Sequence, residues 1–185
     1  EAANRVFEMC DKLRPGTSSQ CFSGTQEELT QTVNTQPCLF AVELAAASVL
    51  REQGICPNAV AGFSLGEVAA AVTAGYLSPE TGFRLVCKRG ELMQAAADRV
   101  DAAMAAVVKL SEETVKDICA RFEQVYPVNF NCPGQITVSG LSSQMNAFSQ
   151  AVREAGGRTI PLKVGGGFHS PFMKEASEAF AEALA

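Results

Sequence analysis

The chain has 185 residues, 47% hydrophobic and 19% charged, with a formal net charge of −5, which suits one hydrophobic core, or a core with a small inserted lobe. The acidic balance and the lack of any Lys/Arg-rich run argue against nucleic acid as the main partner. No apolar run approaches the roughly 18–20 residues that span a bilayer, so a soluble protein without membrane attachment is expected. Seven cysteines (Cys10, Cys21, Cys38, Cys56, Cys87, Cys119, Cys132) stand singly with no CxxC pair, which argues against a disulfide framework and a zinc site and fits a reducing cytoplasm. One histidine, His169, is present, so a site needing two imidazoles is excluded.

In chain order, EAANRVFEMCDKLR reads as an amphipathic helix without the features of a secretion signal. A helix is expected over Pro37 to Gln53, with Thr35 as cap and Pro37 near its first position, stopping at Gly54. NAVAGF (Asn58 to Phe63) suits a buried strand, and Leu65 to Ala74 a helix ended by Gly75. Ser64 then sits at a strand-to-helix junction. Ser78, Pro79 and Glu80 open a long helix to about Ala97 that carries Arg89.

From Ala102 the pattern changes. MAAVVKL reads as a strand, and SEETVKDICARF as a helix with Val115, Ile118, Cys119 and Phe122 on one face. YPVNFN and QITVSG read as strands joined through CPGQ, SSQMNAFSQAVREAG as a helix capped by Ser142 and ended by Gly156, and RTIPLKV as a fourth strand. That order, βαββαβ, is the ferredoxin-like unit. A glycine loop (Gly165, Gly166, Gly167) then delivers Phe168 and His169, and Ser170 with Pro171 starts a last helix.

Three groups could carry chemistry. Gly62, Ser64 and Gly66 form a G-x-S-x-G pattern, which exposes a serine hydroxyl on a sharp turn where side chains would clash. The Leu65 N–H and the helix N-terminus then stand near a developing oxyanion. An ordinary glycine-rich turn is the competing reading. His169 is the one available base for Ser64, against a histidine with no catalytic role. Arg89 is either a snorkelling or ion-paired residue of its helix or a two-pronged clamp on a substrate carboxylate.

Taken together, TQP (Thr35 to Pro37), GFSLGE (Gly62 to Glu67), KRGELMQ (Lys88 to Gln94), VNFNCPGQ (Val128 to Gln135) and GFHSPFM (Gly167 to Met173) resemble the malonyl-CoA:acyl carrier protein transacylases, in order and spacing throughout the chain. The resemblance implies an α/β fold: a hydrolase-like parallel-sheet core over residues 1–101 and 165–185, with a ferredoxin-like subdomain over 102–164. It also implies that Ser64 is acylated by malonyl-CoA with His169 as base, that Arg89 holds the malonyl carboxylate, that Phe168 matches the pattern associated with malonyl rather than methylmalonyl units, and that Met93 lines the acyl pocket. No cofactor or metal is implied. The partners are malonyl-CoA and acyl carrier protein, and the full-length protein is expected to be monomeric.

Two departures stand out. Phe63 replaces the histidine that usually precedes the nucleophile. The family's N-terminal strand and glycine-glutamine loop, which supplies an oxyanion donor, have no counterpart before Glu1, and the family continues past the last helix, so these residues are expected to be its central part. Two alternatives stand beside the transferase: a serine hydrolase or thioesterase with Asp98, Asp101 or Asp117 orienting His169, and a catalytically impaired fragment acting as a folded module. Lys88, Lys163 and Lys174 are candidates for contact with an acidic carrier.

Overall fold

In the computed structural model, which describes residues 1–184, the chain divides into two compact units. The first comprises Glu1–Leu92 with the segment from Phe180 on, and the second Met93–Ala179.

The first unit is helical. Its elements are α1 (Ala2–Leu13), α2 (Thr17–Ser23), α3 (Gln26–Thr30), α4 (Thr32–Glu52), α5 (Gly66–Thr73) and the part of α6 (Pro79–Ala97) that reaches Leu92. Apolar positions drive this packing: Phe40, Phe83 and Val86 are completely buried, with Leu44, Leu65, Ala69 and Val72 around them. Arg14 ties the α1–α2 corner to α4 through Gln20 Oε1 (2.9 Å) and Asn34 Oδ1 (2.8 Å).

Helix α4 begins five residues before the expected start, and Pro37 lies inside it. Thr35 is not its cap: its hydroxyl donates to the carbonyls of Leu29 (2.5 Å) and Gln31 (2.9 Å). Among the described residues α4 alone is long and apolar enough to cross a membrane. Eight of its residues are buried in the first unit, which gives that apolarity a use in packing. The helix ends as expected, with Gly54 at φ 80° and the Ile55 N–H returning to Leu50 O at 2.9 Å.

The expected strand over Asn58 to Phe63 is absent. Those residues pair with no strand among the described residues, and a strand exists only through the ladder it shares with a neighbour.

The second unit is α/β, with one small antiparallel sheet. Strands β1 (Ala102–Val108), β2 (Val125–Cys132), β3 (Gln135–Leu141) and β4 (Arg158–Pro161) stand in the order β2-β3-β1-β4, and α7 (Glu112–Cys119) and α8 (Ser142–Glu154) complete a βαββαβ sequence. Val107, Val115, Ile118, Val138, Phe148 and Val152 form its core. Gly134, at φ 79°, makes the hairpin turn. Ser142 opens α8 without capping it; its hydroxyl donates instead to Asp101 Oδ1 at 2.6 Å. A 3₁₀ turn over Pro171–Met173, capped by Ser170, leads into α9 (Lys174–Leu184).

All seven cysteines are free thiols. Burial pushes Cys10, Cys21 and Cys119 up to about 12 and Cys87 to about 11, so these stay protonated and unreactive near neutrality. Cys56 and Cys132 are exposed. Iodoacetamide at pH 8, followed by peptide mapping, should therefore modify Cys56 and Cys132 first, and Cys10 and Cys119 only after denaturation.

Candidate active site

The turn around Ser64 is dictated by close backbone approach. A Cβ on Gly62 would lie 2.0 Å from Gly66 C and 2.2 Å from Glu67 N, so only hydrogen fits there. At Gly66 the nearest atom to such a Cβ would be Glu43 Oε1 at 3.8 Å, an ordinary contact. Of the two glycines in the pattern, Gly62 is thus the one that sterics require. Ser64 itself adopts φ 54°, a left-handed conformation that costs an L-residue energy and is retained where surrounding structure enforces it.

Three tight bonds enforce it, from the N–H groups of Gly66, Glu67 and Val68 to the carbonyls of Phe63 (3.0 Å), Ser64 (3.2 Å) and Leu65 (3.0 Å). The Leu65 N–H donates to no protein group among the described residues. It stands beside Ser64 at the head of α5, where a donor for a developing oxyanion belongs. The side chain of Leu65 is buried in the core, so its contribution to a site is through the backbone.

Arg89 reaches the same place from α6. That helix approaches α4 so closely at Gly90 that a Cβ there would sit 3.1 Å from Thr32 O. The guanidinium spans the gap: Nη1 donates to Gln36 Oε1 at 2.7 Å and Nη2 to Ser64 Oγ at 3.1 Å. Burial draws Arg89 below its ordinary value, and nearby Glu67 opposes that shift. The group nevertheless remains a cation near neutrality. A partly desolvated cation with a five-donor fork is suited to an anionic ligand.

Gln36 was not foreseen as a site residue. TQP reads locally as a helix start, whereas the structure places the amide inside α4, only 4% exposed and donating to Thr32 Oγ1 at 3.1 Å. The available signal was a polar residue directly ahead of the apolar run that starts at Pro37.

Apart from Lys88, which is in the first unit, the remaining sequence-derived residues lie in the second unit. Met93 and Phe168 are half-buried; His169 is exposed and adopts φ 60°. Asp98 accepts from Gln94 Nε2 at 2.8 Å and Asp101 from Ser142. Among the three candidate docking lysines, Lys88 faces Glu91 and Lys174 faces Glu178, each at 3.9 Å. Among the described residues no group of three or more His, Cys, Asp or Glu is arranged to hold a metal ion.

The acyl transferase domain model matches residues 13–185. The chain belongs to the acyl transferase family. Within it, the chain is 41% identical to the malonyl CoA-acyl carrier protein transacylase of Bacillus subtilis (strain 168), over 99% of this chain and 60% of that protein. Among solved structures it superposes with TM-score 0.93 and 34% identity on the malonyl-transacylase of a type II PKS in complex with its acyl-carrier protein, covering 99% of this chain and 61% of the other. It also matches the acyltransferase domain from the second module of the salinomycin polyketide synthase, with TM-score 0.87 and 35% identity, covering 98% and 42%. The chain thus spans about three-fifths of the length of that Bacillus relative.

The geometry separates the two glycines experimentally. Gly62→Ala should lower the thermal unfolding midpoint and abolish labelling of Ser64 by a fluorophosphonate. Gly66→Ala, inside α5, should be tolerated and stabilise by up to about 1 kcal/mol, as read by chemical denaturation.

Proposed function

We propose that this chain carries the site of an acyltransferase that moves a malonyl group from malonyl-CoA to the phosphopantetheine thiol of acyl carrier protein through a malonyl-serine ester. The observation that carries this reading is the Arg89 fork held against Ser64 Oγ. A half-buried cation at hydrogen-bond distance from the nucleophile serves an acyl group with a free carboxylate. A general esterase would have no use for it.

In this reading Ser64 Oγ attacks the thioester carbonyl carbon while His169 takes the hydroxyl proton. The tetrahedral oxyanion is held by the Leu65 N–H at the head of α5. The C–S bond then breaks, and CoA leaves with the proton returned by the imidazole. The carrier thiol, deprotonated by the same imidazole, attacks the serine ester and regenerates Ser64. Arg89 pairs with the malonate carboxylate throughout, while Phe168 and Met93 border the acyl group. The sequence of steps asks for no redox group or metal. The setting proposed is cytoplasmic, with a monomeric full-length protein.

The same reading extends to the architecture: a ferredoxin-like subdomain over 102–164, and a hydrolase-like parallel sheet in the core over 1–101 and 165–185. Support for the sheet comes from the unpaired run before Ser64. Beside it lies a groove lined by Leu39, Leu50, Ile55, Val60 and Phe63. Glu43 Oε2 is buried there without a partner among the described residues, and burial raises its carboxyl above the ordinary range. An apolar face next to unpaired backbone is what flanking strands cover.

Intact mass after brief exposure to malonyl-CoA tests the function. One malonyl group should be gained by the unaltered chain and none by Ser64→Ala; no gain in a folded chain would leave a non-catalytic module. Arg89→Ala should slow acylation by malonyl-CoA by about 30-fold, the cost of about 2 kcal/mol for losing a charge-assisted contact, with little effect on acetyl-CoA. Equal losses on both would favour the hydrolase reading.

A further inference from the structure

We infer that Ser170 is a positioning residue for His169, closing a bracket that holds the imidazole-bearing loop in its left-handed conformation. This rests on the proposed role of His169 as the base. The residue with φ 60° is exposed, so core packing of its own side chain does not hold its backbone there. The support comes from both sides of it.

On the N-terminal side, Gly167 is wedged. A Cβ there would lie 2.7 Å from Phe172 Cδ2, 2.8 Å from Ala102 Cβ and 2.9 Å from Ser139 Oγ, so its backbone is pressed against β1, β3 and the 3₁₀ turn. On the C-terminal side, Ser170 is buried. Its hydroxyl has one proton to give and lone pairs to receive, and it uses both. It donates to Gly167 O at 2.5 Å and accepts from the Phe172 N–H at 3.3 Å. The backbone carbonyl of Ser170 also accepts from the Met173 N–H at 3.0 Å.

One side chain therefore ties the residue two before His169 to the turn that follows it, closing a ring across Phe168 and His169. The far end of the ring is anchored in turn: Phe172 meets Tyr126 of β2 edge-on, with ring centroids 5.8 Å apart, and Glu175 of α9 pairs with Arg99. Capping alone needs only an acceptor at Ser170. The donated bond to Gly167 is the part that fixes where the imidazole stands, because a left-handed turn without it can relax toward ordinary φ values.

His169 is the only histidine in the chain, so its Cε1–H resonance in a ¹H–¹³C spectrum reports this position without assignment. Three variants of the same chain test the inference. Ser170→Ala should shift and broaden that resonance and slow Ser64 acylation at saturating malonyl-CoA by about 10²-fold, the scale of a misplacement near 1 Å, while the half-saturating concentration stays the same. Ser170→Thr, which keeps the hydroxyl, should restore both. Should the alanine variant fail to unfold cooperatively, Ser170→Asp keeps an acceptor for Phe172 and has no proton for Gly167, so it should still displace the resonance. An unchanged resonance and rate in Ser170→Ala would overturn the inference. If the unaltered chain is not acylated at all, the functional reading falls, and the imidazole resonance alone decides the role of Ser170.

Discussion

A guanidinium partly withdrawn from water needs acceptors, and three segments of the first unit meet around that requirement. Arg89 on α6 reaches Gln36 on α4 and Ser64 ahead of α5, so one side chain links three separate segments. The link requires α6 to lie almost against the start of α4, and Gly90 is the residue that permits it. Phe40, Phe83 and Val86 then supply the apolar burial that keeps those helices together. Packing brings the polar groups into reach, and the polar groups determine which packing leaves no cation stranded.

Both proposed reacting residues are held in left-handed backbone, Ser64 at φ 54° and His169 at φ 60°. Neither is glycine, so each conformation is imposed by its surroundings. The impositions differ. At Ser64 it is the short-range backbone bonds of the turn into α5, for which Gly62 leaves room. At His169 it is a ring of hydrogen bonds fixed to a small sheet. Each unit therefore supports its own strained residue with its own core.

The features legible in the sequence were those that depend on local chemistry. Ser78 caps α6 through the Thr81 N–H, Ser111 caps α7, and Val115, Ile118 and Cys119 bury the face that their spacing marks out. Gly54, Gly75 and Gly156 each end a helix at positive φ. What the sequence left out depends on distant partners. Asn58 to Phe63 has the composition of a strand, but composition cannot supply the neighbour that makes one. Thr35 and Ser142 have capping chemistry, yet each hydroxyl donates to a carbonyl or carboxylate and caps no helix N–H. Gln36 went unnoticed because its meaning lies 53 positions away, in Arg89.

The choice of an amide at Gln36 has a further consequence. A carboxylate there would satisfy the Arg89 fork equally well in geometry, but it would also neutralise it, leaving a closed ion pair with little pull on a third group. The uncharged oxygen orients the guanidinium without neutralising it, and only the nearby Glu67 offsets its charge in part. This corner of the first unit therefore keeps a cation that no carboxylate closes into an ion pair, and an incoming anion can take that place.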